Sequence, residues 1–526
     1  MENRILGIQT DDADADRPVS FGSRISALAR AHPQQTAIFF FSPEGAETRI
    51  PWVELDKNSN QMARLLALHG VGQGSMVVVG LPNRYEHFLV TIGTWKLGGC
   101  VLPLKPVLPA RERNQILGTA GAQLVVADWD QVSGEVARPP EVQQFWELPD
   151  DALPDRISHP GKAVASGGST GRPKIIVDPK PWALVPGEIY QKSLGRLVGM
   201  RSLQTQLVAG PLYHNAPFCW SHWGLFEDHK LVVMERFDAA LAADLLERFR
   251  VNFAFFAPTM MLRMIRLPDI KSRDFSAAES FWHSAAPCPI WVKQAWIDLI
   301  GPEKLNEAYG ATEGVGFASI RGDDWLQHRG SVGLPRDTDV RILDENGEEL
   351  PTGEVGEIFT RLKSARDTAY SYLGSPPART TADGFSSVGD MGWVDEQGYL
   401  YIADRRVDLI ISGGANVYPA EVEAMLVEFP GVLDVAVIGV PDEDWGKRVH
   451  AVIQAANPNA PPSVKDLDQF CRQSLASYKV PKSYEFVEAL PRDEAGKIRR
   501  STIASERQRS WTENMLAAPR LRKETV

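Results

Sequence analysis

The sequence predicts a large layered α/β body that includes a small β unit, followed by a smaller α+β unit at the C-terminal end. Three features carry that prediction. Short β-rich runs alternate with helix-period stretches from Trp52 to about Asp128, the pattern of parallel βαβ units. Residues 338–360 change to alternation around ENG and TGE turn signals, which marks antiparallel hairpins. The last stretch reads helix, strand, turn, strand, helix, strand, a unit of about 120 residues that can enclose its own core.

In chain order, a helix is predicted near 53–69, then the strand MVVVG, a helix near 84–97, the strand CVLPL, a helix near 109–120 and the strand QLVVAD. A weaker copy follows with LVAGPL near 207, KLVVME near 230, the helix ALAADLLERFR and the strand NFAFFAPT. The C-terminal unit is predicted from AEVEAMLVEFPGVLDVAVIGVPDEDWGKRVHAVIQAA and SVKDLDQFCRQSLASYKVPKSYEFVEAL. It is joined to the body by ADRRVDLIISGG, a charged stretch before an apolar run, which suits a surface hinge. The boundary is placed near Arg406, dividing 1–405 from 406–526, and the last 15 or so residues read as a polar tail.

Composition excludes several functions. The chain has 526 residues, 44% apolar and 23% charged, values of a folded multidomain protein. Fifty-six basic against 67 acidic residues give a net charge of -11, which argues against nucleic acid as a partner. Cys100, Cys219, Cys288 and Cys471 are scattered without a CxxC pair, so neither a disulfide scaffold nor a zinc cluster is expected. The N-terminus MENRILGIQTDDADADR lacks the apolar core of a signal peptide, and no apolar run reaches the length of about 20 residues that a membrane helix needs. A cytoplasmic protein without a membrane span is expected.

Several segments combine residue types that suit nucleotide chemistry. In Ser166-Gly167-Gly168-Ser169-Thr170-Gly171-Arg172-Pro173-Lys174, glycines let backbone amides approach an oxyanion, hydroxyls add donors and Lys174 adds charge. It is not the GxxxxGK[ST] loop, because Arg172 follows Gly171 and Ile175 follows Lys174. Tyr309-Gly310-Ala311-Thr312-Glu313-Gly314 offers a ring for a base, a hydroxyl, and a carboxylate for Mg²⁺. Asp390, in Gly389-Asp390-Met391-Gly392-Trp393, could accept both hydroxyls of a ribose, and Lys497 stands on a Gly-containing turn in a charged run. Taken alone, the first segment is equally a Gly/Ser surface turn, while the second is more often a capped loop, Asp390 more often a turn aspartate, Lys497 by default part of a solvated loop and His214 more often a hydrogen-bonded structural histidine. His283 and Cys288 suggest a nucleophile pair, but Pro287 and Pro289 flank the cysteine and no helix N-terminus is evident to acidify it.

In order and spacing together, these segments resemble the adenylate-forming superfamily of acyl-CoA ligases, luciferases and peptide-synthetase adenylation domains, over about residues 20–510. SGGSTGRPK resembles that family's phosphate loop, YGATEG its adenine and magnesium motif, GDMGW its ribose motif, ISGGANVYPAEVE the motif after the hinge, and PRDEAGKIRRS the C-terminal lysine motif. The resemblance implies an adenylate- and acyl-binding body, a mobile C-terminal lid, and an AMP-forming acid–thiol ligase that uses ATP (or acyl-AMP), Mg²⁺ and CoA. It implies Lys497, His214, Thr312 and Glu313 as the catalytic groups, with Glu313 on the metal. Cofactor binding falls to Ser166, Gly168, Ser169, Thr170, Gly171, Lys174, Tyr309, Asp390 and Arg405, with Gly413 and Gly414 at a pantetheine tunnel. The expected partners are a small carboxylic acid, ATP and CoA, with a homodimer left open.

Three departures bear on the reaction: Gly167 where the family usually has Ser, Ile175 where Gly follows the lysine, and Val407 where the hinge is usually Asp or Lys. They keep open an enzyme that only converts a preformed acyl-adenylate to a thioester, and a non-catalytic nucleotide-binding sensor. Trp182, Phe218, Trp220, Trp223, Phe255, Phe256, Met260, Met261, Phe281 and Trp282 are expected to line the acyl pocket, favouring a bulky apolar acid. The resemblance is strongest to the branch acting on steroid, bile-acid or terpenoid carboxylates.

Overall fold

Val77, Val78 and Val79 are fully buried, as are Val101 and Leu102 on the next strand, the burial that a parallel sheet covered on both faces requires. The computed structural model describes residues 18–129, 136–137, 143–167, 173–185, 198–364, 370–442, 444–493 and 496–517. In it Cys100–Pro103, Met76–Gly80 and Leu124–Ala127 run parallel, connected by the helices Tyr85–Lys96 and Ala110–Ala120 as predicted. Lys162–Gly167 lies parallel beside Cys100–Pro103, and Pro173–Asp178 returns antiparallel to it.

A second sheet counts 15 strands among the described residues. Its first part is parallel, in the order Thr36–Phe41, Lys230–Met234, Thr205–Val208, Phe253–Phe256, Ser280–His283 and Leu305–Gly310. It turns antiparallel at Phe317–Arg321 and Ser331–Pro335. The predicted hairpin forms, with Thr338–Leu343 against Gly356–Leu362. It is not detached: Gly356–Leu362 also pairs with Asp390–Val394, so the hairpin's edge is covered by the same sheet rather than left open.

The C-terminal unit pairs Val432–Asp442 with Gly446–Ala455 antiparallel and adds Ser483–Val487 parallel to the latter. The helices Pro419–Leu426, Val464–Ser474 and Arg500–Ala517 accompany them, the last of these reaching into the stretch read as a polar tail. This unit seats on the body. Val422, Val435 and Val449 belong to the same buried cluster as Phe256 and Trp296, and Arg266 donates to the carbonyls of Leu433 and Val432 at 2.9 and 3.1 Å. No helix among the described residues is long and apolar enough to cross a membrane.

Candidate active site

Parallel strands all point their carboxyl ends one way, and side chains there face a crevice rather than a neighbouring strand. Gly210, Ala257, Ser284 and Ala311 follow four such ends and line a cleft of about 2500 Å³, which the C-terminal unit closes with Arg492, Asp493, Gly496 and Lys497. Lys174, His214, Thr312, Glu313, Asp390, Arg405 and Lys497 therefore meet around one space, whereas Tyr309 stands behind its lining, held to Asp390.

The nucleotide-type residues form two linked groups. Glu313, 6% exposed, accepts at Oε1 from Lys174 Nζ at 2.9 Å and from the Tyr372 hydroxyl at 2.7 Å. Burial would raise its carboxyl, but the Tyr372 hydrogen bond and the Lys174 charge hold it below the ordinary value, so it is ionised at neutral pH. Tyr309 donates to Asp390 Oδ2 at 2.7 Å, and Arg405 Nε stands 3.6 Å from Asp390 Oδ1. Burial and the adjacent Asp390 push the Tyr309 phenol well up, fixing it as a donor. Asp390 keeps acceptor capacity on both oxygens, since each carboxylate oxygen has two lone pairs. Thr312 lines the cleft beside this group. Gly168, Ser169, Thr170 and Gly171 lie outside the described residues, and of Ser166 the backbone alone is described, paired with Lys174 across the hairpin.

Lys497 enters from the other side. Asp493 shapes its turn by accepting from the Lys497 amide at 2.9 Å. Gly496 has φ +75°, and a Cβ there would fall 1.9 Å from Thr259 Oγ1, so only glycine lets the turn sit this close to the body. Among the described residues the Lys497 ammonium makes no hydrogen bond or close ion pair. Although Lys497 is exposed overall, the cleft partly desolvates its ammonium, and this and the Arg405 charge lower its pKa, while Asp493 and Glu313 oppose. His214 Nε2 lies 3.5 Å from Asp493 Oδ2, and burial keeps the imidazole neutral by lowering its pKa. A cation thus faces a carboxylate-lined cleft uncommitted, an arrangement able to meet an anion whose charge moves.

The joint is anchored on both sides of one residue. Arg406 Nη1 donates to Glu357 of the body at 2.7 Å, whereas Asp408 accepts from Arg500 of the C-terminal unit at 2.9 Å. Val407 between them is 62% exposed. Arg500 also bonds Glu423 at 2.7 Å and approaches Asp404 at 3.6 Å. Gly413 and Gly414, both at positive φ, form the two-residue turn between Ile410–Ser412 and Ala415–Val417 and do not line the cleft, Gly413 lying under the Trp445 ring.

The expected acyl lining divides. Trp182, Trp220, Trp223, Phe255 and Met260 line the cleft, whereas Phe218, Phe256, Met261, Phe281 and Trp282 do not and are core. The physical reason is period: strand side chains alternate faces, and on the Asn215–Phe226 helix the stripes at 216 and 220 and at 215, 219 and 223 face the cleft while 218 points inward. Cys288 is not a nucleophile in this setting, because burial raises its thiol and His283 is kept neutral at about 4. A helix does begin at Ile290, contrary to the sequence reading, without reversing that outcome.

Sequence reasoning missed Tyr372, Asp493 and Arg500. Tyr372 reaches Glu313 because its strand pairs with Pro173–Asp178, a long-range register with no local signal. Asp493 could have been found, since an aspartate four residues before a glycine-supported lysine is a turn-forming pattern.

A family model described as AMP-binding enzyme matches residues 25–365, and one described as AMP-binding enzyme C-terminal domain matches 421–497. The fatty acid–acyl-carrier-protein ligase ScoC of Streptomyces coeruleorubidus is 30% identical over 491 residues, covering 88% of this chain and 92% of that protein. The feruloyl-CoA synthase of Amycolatopsis sp is 31% identical over 505 residues, covering 93% and 99%. Among solved structures, ATP-bound MatB from Rhodopseudomonas palustris has a TM-score of 0.75 at 25% identity, covering 93% of this chain and 99% of that one. The o-succinylbenzoate CoA synthetase MenE of Bacillus subtilis, in complex with its acyl-adenylate, has a TM-score of 0.77 at 24% identity, covering 91% and 97%, a likeness of fold.

Proposed function

This chain belongs to the AMP-binding enzyme family, and we propose that it is an AMP-forming ligase that joins a bulky, ring-bearing carboxylic acid to CoA in two half-reactions. One observation carries the proposal: the uncommitted Lys497 ammonium faces the cleft that holds Glu313, Lys174 and Asp390. In the first half-reaction a carboxylate oxygen of the acid attacks the α-phosphorus of ATP, the bond to the bridging oxygen breaks, and pyrophosphate leaves with the electron pair. Lys497 meets the charge that builds between the two anions. Tyr309 packs on the adenine, Asp390 and Arg405 hold the ribose, and Ser166, Thr312, Lys174 and the loop of Gly168, Ser169, Thr170 and Gly171 hold phosphates.

Glu313 is suited to Mg²⁺. It is ionised, both its side-chain partners use Oε1, and a carboxylate plus substrate phosphates is the donor set that ion prefers. When bound, the ion would neutralise phosphate charge. In the second half-reaction the CoA sulfur attacks the acyl carbonyl near His214, and AMP leaves with the electron pair of the broken acyl–oxygen bond. The lid, residues 406–526, turns against the body, 1–405, about Val407. That motion withdraws Lys497 and brings Gly413 and Gly414 to the cleft for pantetheine.

The relatives' names include fatty-acid, feruloyl and o-succinylbenzoate substrates, so the family alone leaves the acid open. The rings of Trp182, Trp220, Trp223 and Phe255 in the cleft support a polycyclic or terpenoid-like acid over a linear one. All four cysteines are free, which supports a cytoplasmic setting. The test is acid-dependent exchange of labelled pyrophosphate into ATP, followed by thioester formation on adding CoA. Exchange with a ring-bearing acid and a CoA thioester are expected. No exchange with any acid, together with thioester formation from synthetic acyl-adenylate, would replace this reading by a thioester-only enzyme.

A further inference from the structure

The helix Asn215–Phe226 presents a second stripe to the cleft that the reaction above does not use. Asn215, Cys219, Trp223 and then Glu227 follow one another at four-residue spacing, and all line the cleft. Facing them is Lys162, 7% exposed, on the strand that leads to the phosphate loop. Its ammonium donates to Asn215 Oδ1 at 2.7 Å and to Cys219 Sγ at 3.2 Å, and lies 3.9 Å from Asp178 Oδ2. The Trp182 ring centroid is 6.0 Å away.

Burying a lysine against aromatic rings is costly unless something holds it there, and what this one does is settle the Asn215 amide. An ammonium can only donate, so the amide atom facing it is the oxygen and the NH₂ group must point the other way. Cys219 Sγ lies 3.4 Å from the same oxygen and reinforces that choice. Among the described residues the Asn215 Nδ2 donates to nothing, although the residue lines the cleft. The result is a pair of N–H donors of fixed direction beside the rings of Trp182 and Trp223.

The charge of the stripe limits what those donors take. Asp178 already stands beside the lysine, and Glu227 adds a second carboxyl, whose pKa burial raises against the opposing Arg24 charge. A second anion on the substrate would find the Lys162 charge already balanced by Asp178 and the nearby Glu227 carboxyl disposed toward its neutral form, so no cation is left to compensate it, whereas a neutral acceptor needs none. We propose that Asn215, positioned by Lys162, reads a neutral oxygen on the acid (a ketone, hydroxyl or ether) set on its ring skeleton. This rests on the ligase reading and deepens it. The substrate class becomes oxygenated ring-bearing acids rather than plain hydrocarbon ones, and the reaction that supplies the substrate is one that leaves an oxygen on the ring, such as an oxidation or hydration.

The test compares 3-cyclohexylpropanoate with its ring-oxo and ring-hydroxy positional isomers and with its ring carboxylate, by kcat/KM for pyrophosphate release in ATP and CoA. At least one oxygenated isomer should exceed the parent by about 10- to 100-fold, the range of one hydrogen bond gained in a desolvated site, and the dicarboxylate should fall below the parent. Asn215→Asp keeps a partner for Lys162 but turns donors into acceptors, so the preference should vanish or invert. Lys162→Met lets the amide turn and should cut the preference to a few-fold. If Lys162→Met does not fold by thermal unfolding, the wild-type series and Asn215→Asp decide. The proposal falls if no isomer exceeds the parent, if the preference survives Asn215→Asp, or if the dicarboxylate is the best substrate. Pyrophosphate release from all acids alike leaves the ligase reading standing and removes this one, whereas release from none removes both.

Discussion

The two walls of the cleft are held together on different terms. On the nucleotide wall the two central carboxylates have partners delivered from other strands: Glu313 takes Lys174 and Tyr372, and Asp390 takes Tyr309 and approaches Arg405. On the acyl wall rings lie against rings, as Trp220 does against Phe255 at 4.9 Å and Trp282 at 5.6 Å, beside the polar Lys162–Asn215 stripe. A network of paired charges fails sharply when one member is removed, because its partner is left buried and uncompensated. A wall of rings can shift, so its changes are graded and show as altered preference. The two walls should therefore answer mutation differently.

The largest expected effect is on the cation that comes to the charged wall from outside it. Lys497→Ala should slow adenylation by about 10²- to 10³-fold, while thioester formation from added acyl-adenylate persists, as single-turnover measurement of each half-reaction would reveal. Equal loss in both steps would mean that Lys497 holds the fold together rather than meeting charge. The pH profile sharpens the point. Desolvation in the cleft and Arg405 lower the Lys497 pKa, and the ammonium is the active form, so kcat/KM for adenylation should decline on the alkaline side at a pH below 10.5. In Lys497→Arg that alkaline limb should disappear.

Next comes Glu313→Gln, which removes the charge that Lys174 and Tyr372 hold ionised. Adenylation should fall by about 10- to 100-fold, with the Mg²⁺ concentration needed for half-maximal rate rising, because a neutral amide replaces a charge-assisted partner. A rate loss with unchanged Mg²⁺ dependence would confine Glu313 to holding Lys174. On the ring wall, Trp220→Ala should alter ring-acid kcat/KM by only about 10-fold and move the optimum toward larger acids, as a size panel would reveal. A loss of 10³-fold or more there would break the contrast between the walls.

The same contrast explains how much could be read without coordinates. The α/β alternation placed Met76–Gly80, Cys100–Pro103 and Leu124–Ala127, because strand and helix periods are local properties. Lys174, Asp390 and Lys497 were singled out for a related reason, each sitting in a short glycine-bearing segment, and the structure brings the three to one cleft. The pairing of Glu313 with Tyr372 was not, since 59 residues separate them and strand register brings them together. The acyl wall was half legible. Composition marked its rings, but which of them face the cleft depends on strand alternation and on the rotational setting of the Asn215–Phe226 helix, and Phe218, Phe281 and Trp282 turned out to be core.

The smallest expected effect lies where neither wall reaches, at Val407. Arg406 is tied to Glu357 of the body and Asp408 to Arg500 of the lid, so a rotation between the two units concentrates on the backbone torsions of the residue between them. Valine is β-branched, which narrows the torsions it visits, and its exposure means that replacing it forfeits little packing. Val407→Asp widens the accessible backbone states without touching either anchor, and should raise the rate of lid turning. Where that motion limits turnover, overall kcat should rise by about 2- to 5-fold with the adenylation burst unaltered in rate. A changed burst rate with unchanged kcat would move the pivot away from Val407 and onto one of its two anchored neighbours.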